Sequence, residues 1–441
     1  MGQPVPVALI GAGKVAHAAH LREMRDLPEL LRPVAVIDPD PAHTAAVRAW
    51  FPGTRAGAGS CAADGAGGVT PAGTGSPVGG VRPADGVAVC RTLDEAVRAG
   101  ARAALVCTPW WTHRDVVLGC LERGLPVLCE KPVSLDLAEI DELAAAERRS
   151  GVPVAAGYMK RHDPVVARFL DHCREHLPAV RRITADIHDP NAPHQVEHLL
   201  PYPPPPFGPQ PPPAEAALAR ALGPGATEVT AVAEATEATE ATAGAAVAAR
   251  RREAYARGLG GSLIHQVNLV HAILAGGDLR LHGRLLDATG WAGTSAVSAR
   301  WRPADGLLVD LTHVRLPGHR RYRETLECVA EDSVATLTLP SPYARDEAAT
   351  LHVDTWDAGP GLGTRRTYTA EPGRTGFRRQ LVAWAGSLRG DGSGGAGVGV
   401  GAGIGVGGGV EGGVGGGAAL PGLREVRQDT LAVREAALRL T

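Results

Sequence analysis

Neither charge is in excess. Against 45 lysines and arginines stand 47 aspartates and glutamates, a formal net charge of -2, which gives no electrostatic footprint for nucleic acid or an anionic membrane. A small neutral or polar ligand suits this balance better. The opening MGQPVPVALIGAGKVA lacks a basic segment followed by a long apolar core, and no stretch reads as a membrane span. These absences predict a soluble, cytoplasmic protein. The seven cysteines are odd in number, scattered and without a C-x-x-C pair. That excludes a sequence-level case for zinc or dithiol chemistry and reads as small hydrophobes in a reducing compartment. Cys129 has no activating pattern beyond nearby Lys131, so it is not read as a catalytic thiol.

What is present is an alternation of strand and helix. At 441 residues the chain is long enough for two domains. VPVALIGAG, PVAVID, VAVC, AALVCTP, PVLCE and VPVAAGYM read as buried strands, separated by helices near Lys14 to Leu30, Pro41 to Phe51, Thr92 to Gly100, Thr112 to Arg123 and after Asp136. Apolar strands spaced by helices imply a parallel sheet covered on both faces. The predicted first domain is residues 1–156, with a low-complexity insertion at about 54–86. Residues 157–441 read as an α+β domain: helix DPVVARFLDHCREHL, strand VRRITADIH, an irregular stretch at about 190–257 whose second half could form a marginal helix, helix LGGSLIHQVNLVHAILAG, and then consecutive strands with short polar breaks. Such strands form a mainly antiparallel open sheet. A Gly/Val tract at about 390–418 separates the last two helices. The fold class is therefore α/β, a doubly wound Rossmann sheet followed by an α+β domain.

Gly11-Ala-Gly13-Lys14-Val15-Ala16 follows the first strand and opens a helix. In this G-x-G-x-x-A fingerprint the first glycine permits a tight turn, the second lets the backbone approach a pyrophosphate, and Ala16 keeps helix and strand close. Asp38, 22 residues past Ala16 at the end of the second strand, is placed to hold the ribose hydroxyls. It would repel a 2'-phosphate, so NAD is expected, with NADP the alternative.

GAGKVA, Asp38, CTPWWTHRDVV, GLPVLCEKPVSL and GYMKRHDP occur in the order found in the glucose-fructose oxidoreductase, inositol dehydrogenase and rhizopine catabolism family, Gfo/Idh/MocA. The chain resembles that family well over about residues 5–170 and more loosely from Gly258 onward. The resemblance implies a nicotinamide at the C-terminal edge of the sheet and hydride exchange with a secondary alcohol or ketone of a sugar, cyclitol or polyol. It places Lys131 at the reacting hydroxyl, with Glu130 and Pro132 as its neighbours. Thr108, Pro109 and His113 fall in the loop beside the nicotinamide, and Arg161 near the substrate. It also implies a homo-oligomer, a dimer or tetramer, formed through the open sheet. Chemically, a carbinol gives up hydride only as its proton leaves, which asks for a base and a positive group at one oxygen, and a buried lysine supplies both. The alternative for Lys131 is a structural ion pair with Glu130.

Many relatives carry Asp-x-x-x-His in the helix where this chain has GGSLIHQVNLVHAIL. His265 is taken as proton partner or hydroxyl ligand, with Asn268 one turn away on the same face; the alternative is a helix histidine satisfied inside the interdomain contact. His271 falls on another face by helical rotation. His188 and Asp189, ending a strand, are candidate substrate contacts. His194-Gln-Val-Glu197-His198 has the spelling of an inverted zinc-protease motif, but prolines at 190, 193 and 201 argue against the helix it needs; no metal is expected. Two other functions remain open: a redox-neutral lyase or hydrolase using NAD transiently, and a dinucleotide-binding sensor.

Overall fold

The structure is a computed structural model that describes residues 3–51, 86–190, 215–223, 246–291, 296–316, 318–356, 363–373, 375–390 and 419–440. Most of the expected insertions, together with the His194 to His198 motif, lie outside the described residues.

The first sheet has six parallel strands: β1 Val5–Ile10, β2 Leu31–Ile37, β3 Ala88–Val89, β4 Ala103–Val106, β5 Val127–Cys129 and β6 Val154–Ala156, in the order β3-β2-β1-β4-β5-β6. β4 is buried at all four residues and β5 at all three, as strands covered on both faces must be. The intervening helices are α1 Leu21–Arg25, entered through the π-helical turn Ala16–His20, α2 Pro41–Trp50, α3 Leu93–Arg98, α4 Trp110–Glu122 and α5 Leu137–Ser150. α1 stops at Arg25 rather than Leu30, because Pro28 cannot donate to a continuing helix and disfavours it for the preceding residue. The Asp136 side chain accepts from Ala138 N at the start of α5, but Glu139 does not close a capping box; it accepts from the Ser134 hydroxyl at 2.6 Å.

α6 Pro164–Glu175, N-capped by Asp163, leads into the second sheet. Its eight strands are β7 Val180–His188, β8 Leu285–Gly290, β9 Val297–Ala304, β10 Leu307–Val314, β11 Arg323–Ala330, β12 Ser333–Leu339, β13 Thr350–Thr355 and β14 Thr364–Thr369. The order is β14-β13-β12-β11-β7-β10-β9-β8, antiparallel except for the parallel pair β7–β10. β10 alternates buried and half-buried residues throughout, the period-2 signature of a sheet with one face packed and one open.

The stretch read as irregular up to about residue 257 carries helix in its described parts: α7 Glu215–Leu222, and a helix from 246 that continues through the π-helical segment Ala254–Leu263 into α8 Ile264–Leu274. Gly258, Gly260 and Gly261 are poor helix formers, and close packing holds this segment helical. A Cβ on Gly260 would lie 2.6 Å from Leu135 Cδ2.

Two C-terminal helices, α9 Gly376–Arg389 and α10 Leu423–Arg439, return to the first sheet. Leu381, Trp384 and Ala385 of α9 share an apolar cluster with Val7, Leu9 and Leu105, while Val426, Val433 and Ala437 of α10 join the cluster containing Ile140 and Leu143 of α5. The N-terminal sheet is thus packed partly by the end of the chain.

Candidate functional site

The carboxyl ends of β1, β2, β4, β5 and β6 converge on one edge, where open α/β sheets bind ligands. At the end of β1, Gly11 has φ +85, and a Cβ there would lie 2.6 Å from Thr108 N and 2.7 Å from the Cys107 carbonyl carbon. Only glycine lets the β1 and β4 loops touch in this way. A Cβ on Gly13 would meet nothing within 4 Å, so open space lies above this turn of backbone and a pyrophosphate fits there. Asp38 braces the loop: its Oδ2 accepts from Ala12 N at 2.7 Å, and its Oδ1 accepts from Asp40 N at 2.8 Å and meets His43 Nδ1 at 3.1 Å. Lys14, Val15 and Ala16 start the helix that follows. Gly11, Gly13, Ala16 and Asp38 would hold a dinucleotide in the manner the fingerprint requires.

His113 and Glu130, expected among the cofactor contacts, brace the protein around them. His113 is 1% exposed; its Nε2 faces Thr108 O at 2.7 Å and its Nδ1 faces Pro132 O at 3.0 Å. Burial pushes its pKa down against the pull of those carbonyls, so its neutral ring donates from one nitrogen at a time. It staples the loop of Thr108 and Pro109 to the segment after Lys131. Glu130 is buried, with Oε1 on His20 Nε2 at 2.7 Å and Oε2 on the Lys131 main-chain N–H at 3.1 Å. Burial opposes its ionisation, yet the His20 bond, the His20 charge and the Lys131 charge outweigh it and hold the carboxyl below the ordinary glutamate range.

Lys131 follows β5 and precedes a cis bond to Pro132. Its Nζ donates to Gly261 O at 2.5 Å, a carbonyl of the π-helical segment; π-bulges recur at functional positions. Burial, opposed by Glu130 and reinforced by Lys160, lowers its pKa from 10.5 to about 8. His265 lies within the field of Lys131 and Lys160, and burial, then those two charges, push it well below 6.5. Its neutral ring packs edge-on against Tyr158 at 5.9 Å, and Nδ1 has no hydrogen-bond partner among the described residues. A buried polar atom left unpaired is costly unless a ligand completes it.

The second sheet supplies the facing wall. Asp189 at the end of β7 is paired with Arg315 and lies 3.5 Å from His313 Nε2; burial opposes its ionisation, but these partners hold its carboxyl far below the usual range. Glu324, fully buried, accepts from Lys160 Nζ at 2.6 Å, Gln266 Nε2 at 2.5 Å and the Tyr322 hydroxyl. Lys160 and Glu324 were not singled out by sequence reasoning. GYMKRHDP offered two adjacent cations, and Arg161 was the one expected near substrate. The structure ties Arg161 to Asn268 Oδ1 at 3.3 Å and to Glu425 at 3.9 Å, whereas Lys160 is the one whose charge reaches Lys131. Asn268 is likewise engaged elsewhere: it donates to Asp429 Oδ2 at 2.8 Å, and His271 holds Asp429 Oδ1 at 2.6 Å. Asn268 thus shares the partner Asp429 with His271. His188 lies 3.5 Å from Asp186 and against the ring of His319. Among the described residues no group of three or more His, Cys, Asp or Glu is arranged to hold a metal ion, and no helix is long and apolar enough to cross a membrane.

Residues 5–158 match the family model GFO_IDH_MocA, described as an oxidoreductase family with an NAD-binding Rossmann fold. An inositol 2-dehydrogenase from Streptomyces avermitilis is 32% identical over 165 residues, 37% of this chain and 38% of that protein. Another, from an Arthrobacter species, is 28% identical over 178 residues, covering 40% and 43%. The chain spans less than half the length of these curated relatives. A solved 3-ketoreductase from Actinomadura kijaniata, in complex with NADP and TDP-benzene, is similar with a TM-score of 0.57 at 14% identity, covering 98% of this chain and 95% of that one. A UDP-N-acetylglucosamine 3-dehydrogenase from Acidithiobacillus ferrooxidans gives 0.59 at 13%, covering 100% and 98%. These likenesses extend the fold over the second sheet. Residues 5–158 are an NAD-binding Rossmann domain of the Gfo/Idh/MocA oxidoreductase family.

Proposed function

We propose that the protein is an NAD-dependent oxidoreductase that exchanges hydride with a secondary alcohol, or its ketone, on a sugar-, cyclitol- or polyol-like substrate. One observation carries this reading: an amine with its pKa lowered to about 8 follows the carboxyl end of β5, within the electrostatic reach of His265, whose Nδ1 has no hydrogen-bond partner among the described residues. The names of the inositol 2-dehydrogenase relatives support a cyclitol-like alcohol.

A bound nicotinamide supplies the hydride acceptor or donor; the chain's own groups handle the proton. Gly261 O fixes the Lys131 amine, which accepts the hydroxyl proton when neutral and returns it when charged. The positive amine then stabilises developing alkoxide. His265, neutral at pH 7, is available to hold a neighbouring hydroxyl. Lys160–Glu324 and Arg315–Asp189 present donors and acceptors in fixed pairs, an arrangement suited to several hydroxyls of an uncharged substrate. Asp38 favours NAD over NADP for the reason its carboxylate suggests. The half-buried outer face of the second sheet is the surface we assign to homo-oligomer formation.

A panel of cyclitols, sugars and amino sugars assayed for NADH and NADPH fluorescence tests this. Turnover with NAD on at least one cyclic polyol is expected; cofactor binding without turnover on any member would contradict it. Turnover of substrate without net NADH would instead favour the redox-neutral reading.

A further inference from the structure

We propose that His20, on the turn after the glycine loop, is a positioning residue for Lys131, acting through Glu130. This rests on the catalytic reading of Lys131 given above. His20 is fully buried, and its Nε2–H donates to Glu130 Oε1 at 2.7 Å. The other carboxylate oxygen accepts the Lys131 main-chain N–H at 3.1 Å, so the bond runs from the first helix to the backbone of the lysine itself. Both ends are boxed in. Phe377 of α9 stands edge-on to His20 at 5.2 Å and stacks with Tyr343 at 6.1 Å. On the other side, a Cβ on Gly157 would come within 3.1 Å of Glu130 Cα and 3.3 Å of Glu130 Cδ, so β6 closes against the carboxylate.

A buried histidine–carboxylate pair is no cheaper than an apolar contact of the same volume. Its value here lies in where the carboxylate sits. Around Glu130 the titratable neighbours are His20, Lys131, His113, Tyr343, Cys107 and Cys129; around Lys131 they are Glu130, Lys160, Asp189, Arg315 and His265. Of those acting on the Lys131 amine, Glu130 and Asp189 favour the protonated form, and Lys160 and Arg315 oppose it. Without its donor, the Glu130 carboxylate faces burial with fewer partners and tends toward the neutral acid. The negative charge beside Lys131 then fades, and the amine loses its proton at lower pH.

The test reads the lysine directly. In the protein without cofactor or substrate, the pH dependence of Lys131 modification by an amine-reactive reagent is followed by peptide mass spectrometry, alongside thermal melting. Glu130→Gln is expected to move the modification midpoint down by about half to one pH unit. His20→Leu should move it the same way and by a similar amount, and the double variant no further. His20→Gln, whose amide donates to the same oxygen, should restore the wild-type midpoint. If His20→Leu does not fold, His20→Asn, too short to reach the carboxylate, takes its place. A folded His20→Leu or His20→Asn variant with an unchanged midpoint overturns the proposal, as does a double variant in which the two shifts add. Because no turnover is involved, failure of the proposed activity leaves this result readable, and failure here leaves the activity assay standing.

Discussion

At the scale of single residues, the two fingerprint glycines serve different purposes. Gly11 is needed for folding, since any side chain there is strained by its φ and collides with the β4 loop; the Cβ position of Gly13 is open, and in the proposed function that space is left for the dinucleotide. Gly11→Ala should destabilise by about 2 kcal/mol or more, read in denaturant titration. Gly13→Ala should melt near wild type while weakening NAD binding at least about tenfold, the effect of losing about 1.4 kcal/mol. Gly11, Gly13 and Asp38 were legible as cofactor-site candidates because strand, glycine turn and acid stand in register, and Lys131 as a candidate because its motif resembles the family's. Lys160 and Glu324 were not, because their pairing joins residues 164 apart in sequence. Nor was the tie between His20 and Glu130, 110 residues apart, although a histidine on the apolar face of the first helix was the available signal.

At the scale of elements, α10 carries a buried carboxylate in an otherwise amphipathic helix. Asp429 is fully buried and holds Asn268 and His271 of α8. Asp429→Ala leaves both without that acceptor and should cost about 3 kcal/mol or more, measurable by chemical denaturation. The strands and helices of the first sheet were legible because their apolar runs are long and their periods clear. The described helix from 246 to 253 was legible only as a marginal one: its alanines and arginines favour helix, but so short a segment is ordered chiefly by packing. β14 was also missed; most of its side chains are exposed, so it lacks the alternation that marks a half-buried strand.

At the scale of the whole molecule, the second sheet and the C-terminal helices enclose the carboxyl edge of the first sheet, and burial there lowers the pKa of Lys131. The sign for stability follows. The folded chain releases this proton at about 8 while an unfolded lysine keeps it to about 10.5, so the burial cost is present in full below pH 8 and disappears between pH 8 and 10.5. Lys131→Met should therefore raise Tm at pH 7 by a few degrees, roughly 2–4 °C for each kcal/mol relieved, with the gain shrinking as pH approaches 10.5. In the oxidative direction wild-type turnover should rise with pH to a midpoint near 8; in the reductive direction it should fall through the same midpoint. The measurement that bears most directly on the central claim is the pH profile of NADH formation by wild type and Lys131→Met, with myo-inositol as the first substrate of the polyol panel. The account predicts a midpoint near 8 in the wild type and, in the variant, a loss of at least about 100-fold with no midpoint there and an undiminished Tm. A folded Lys131→Met that keeps the wild-type rate and pH dependence would contradict it.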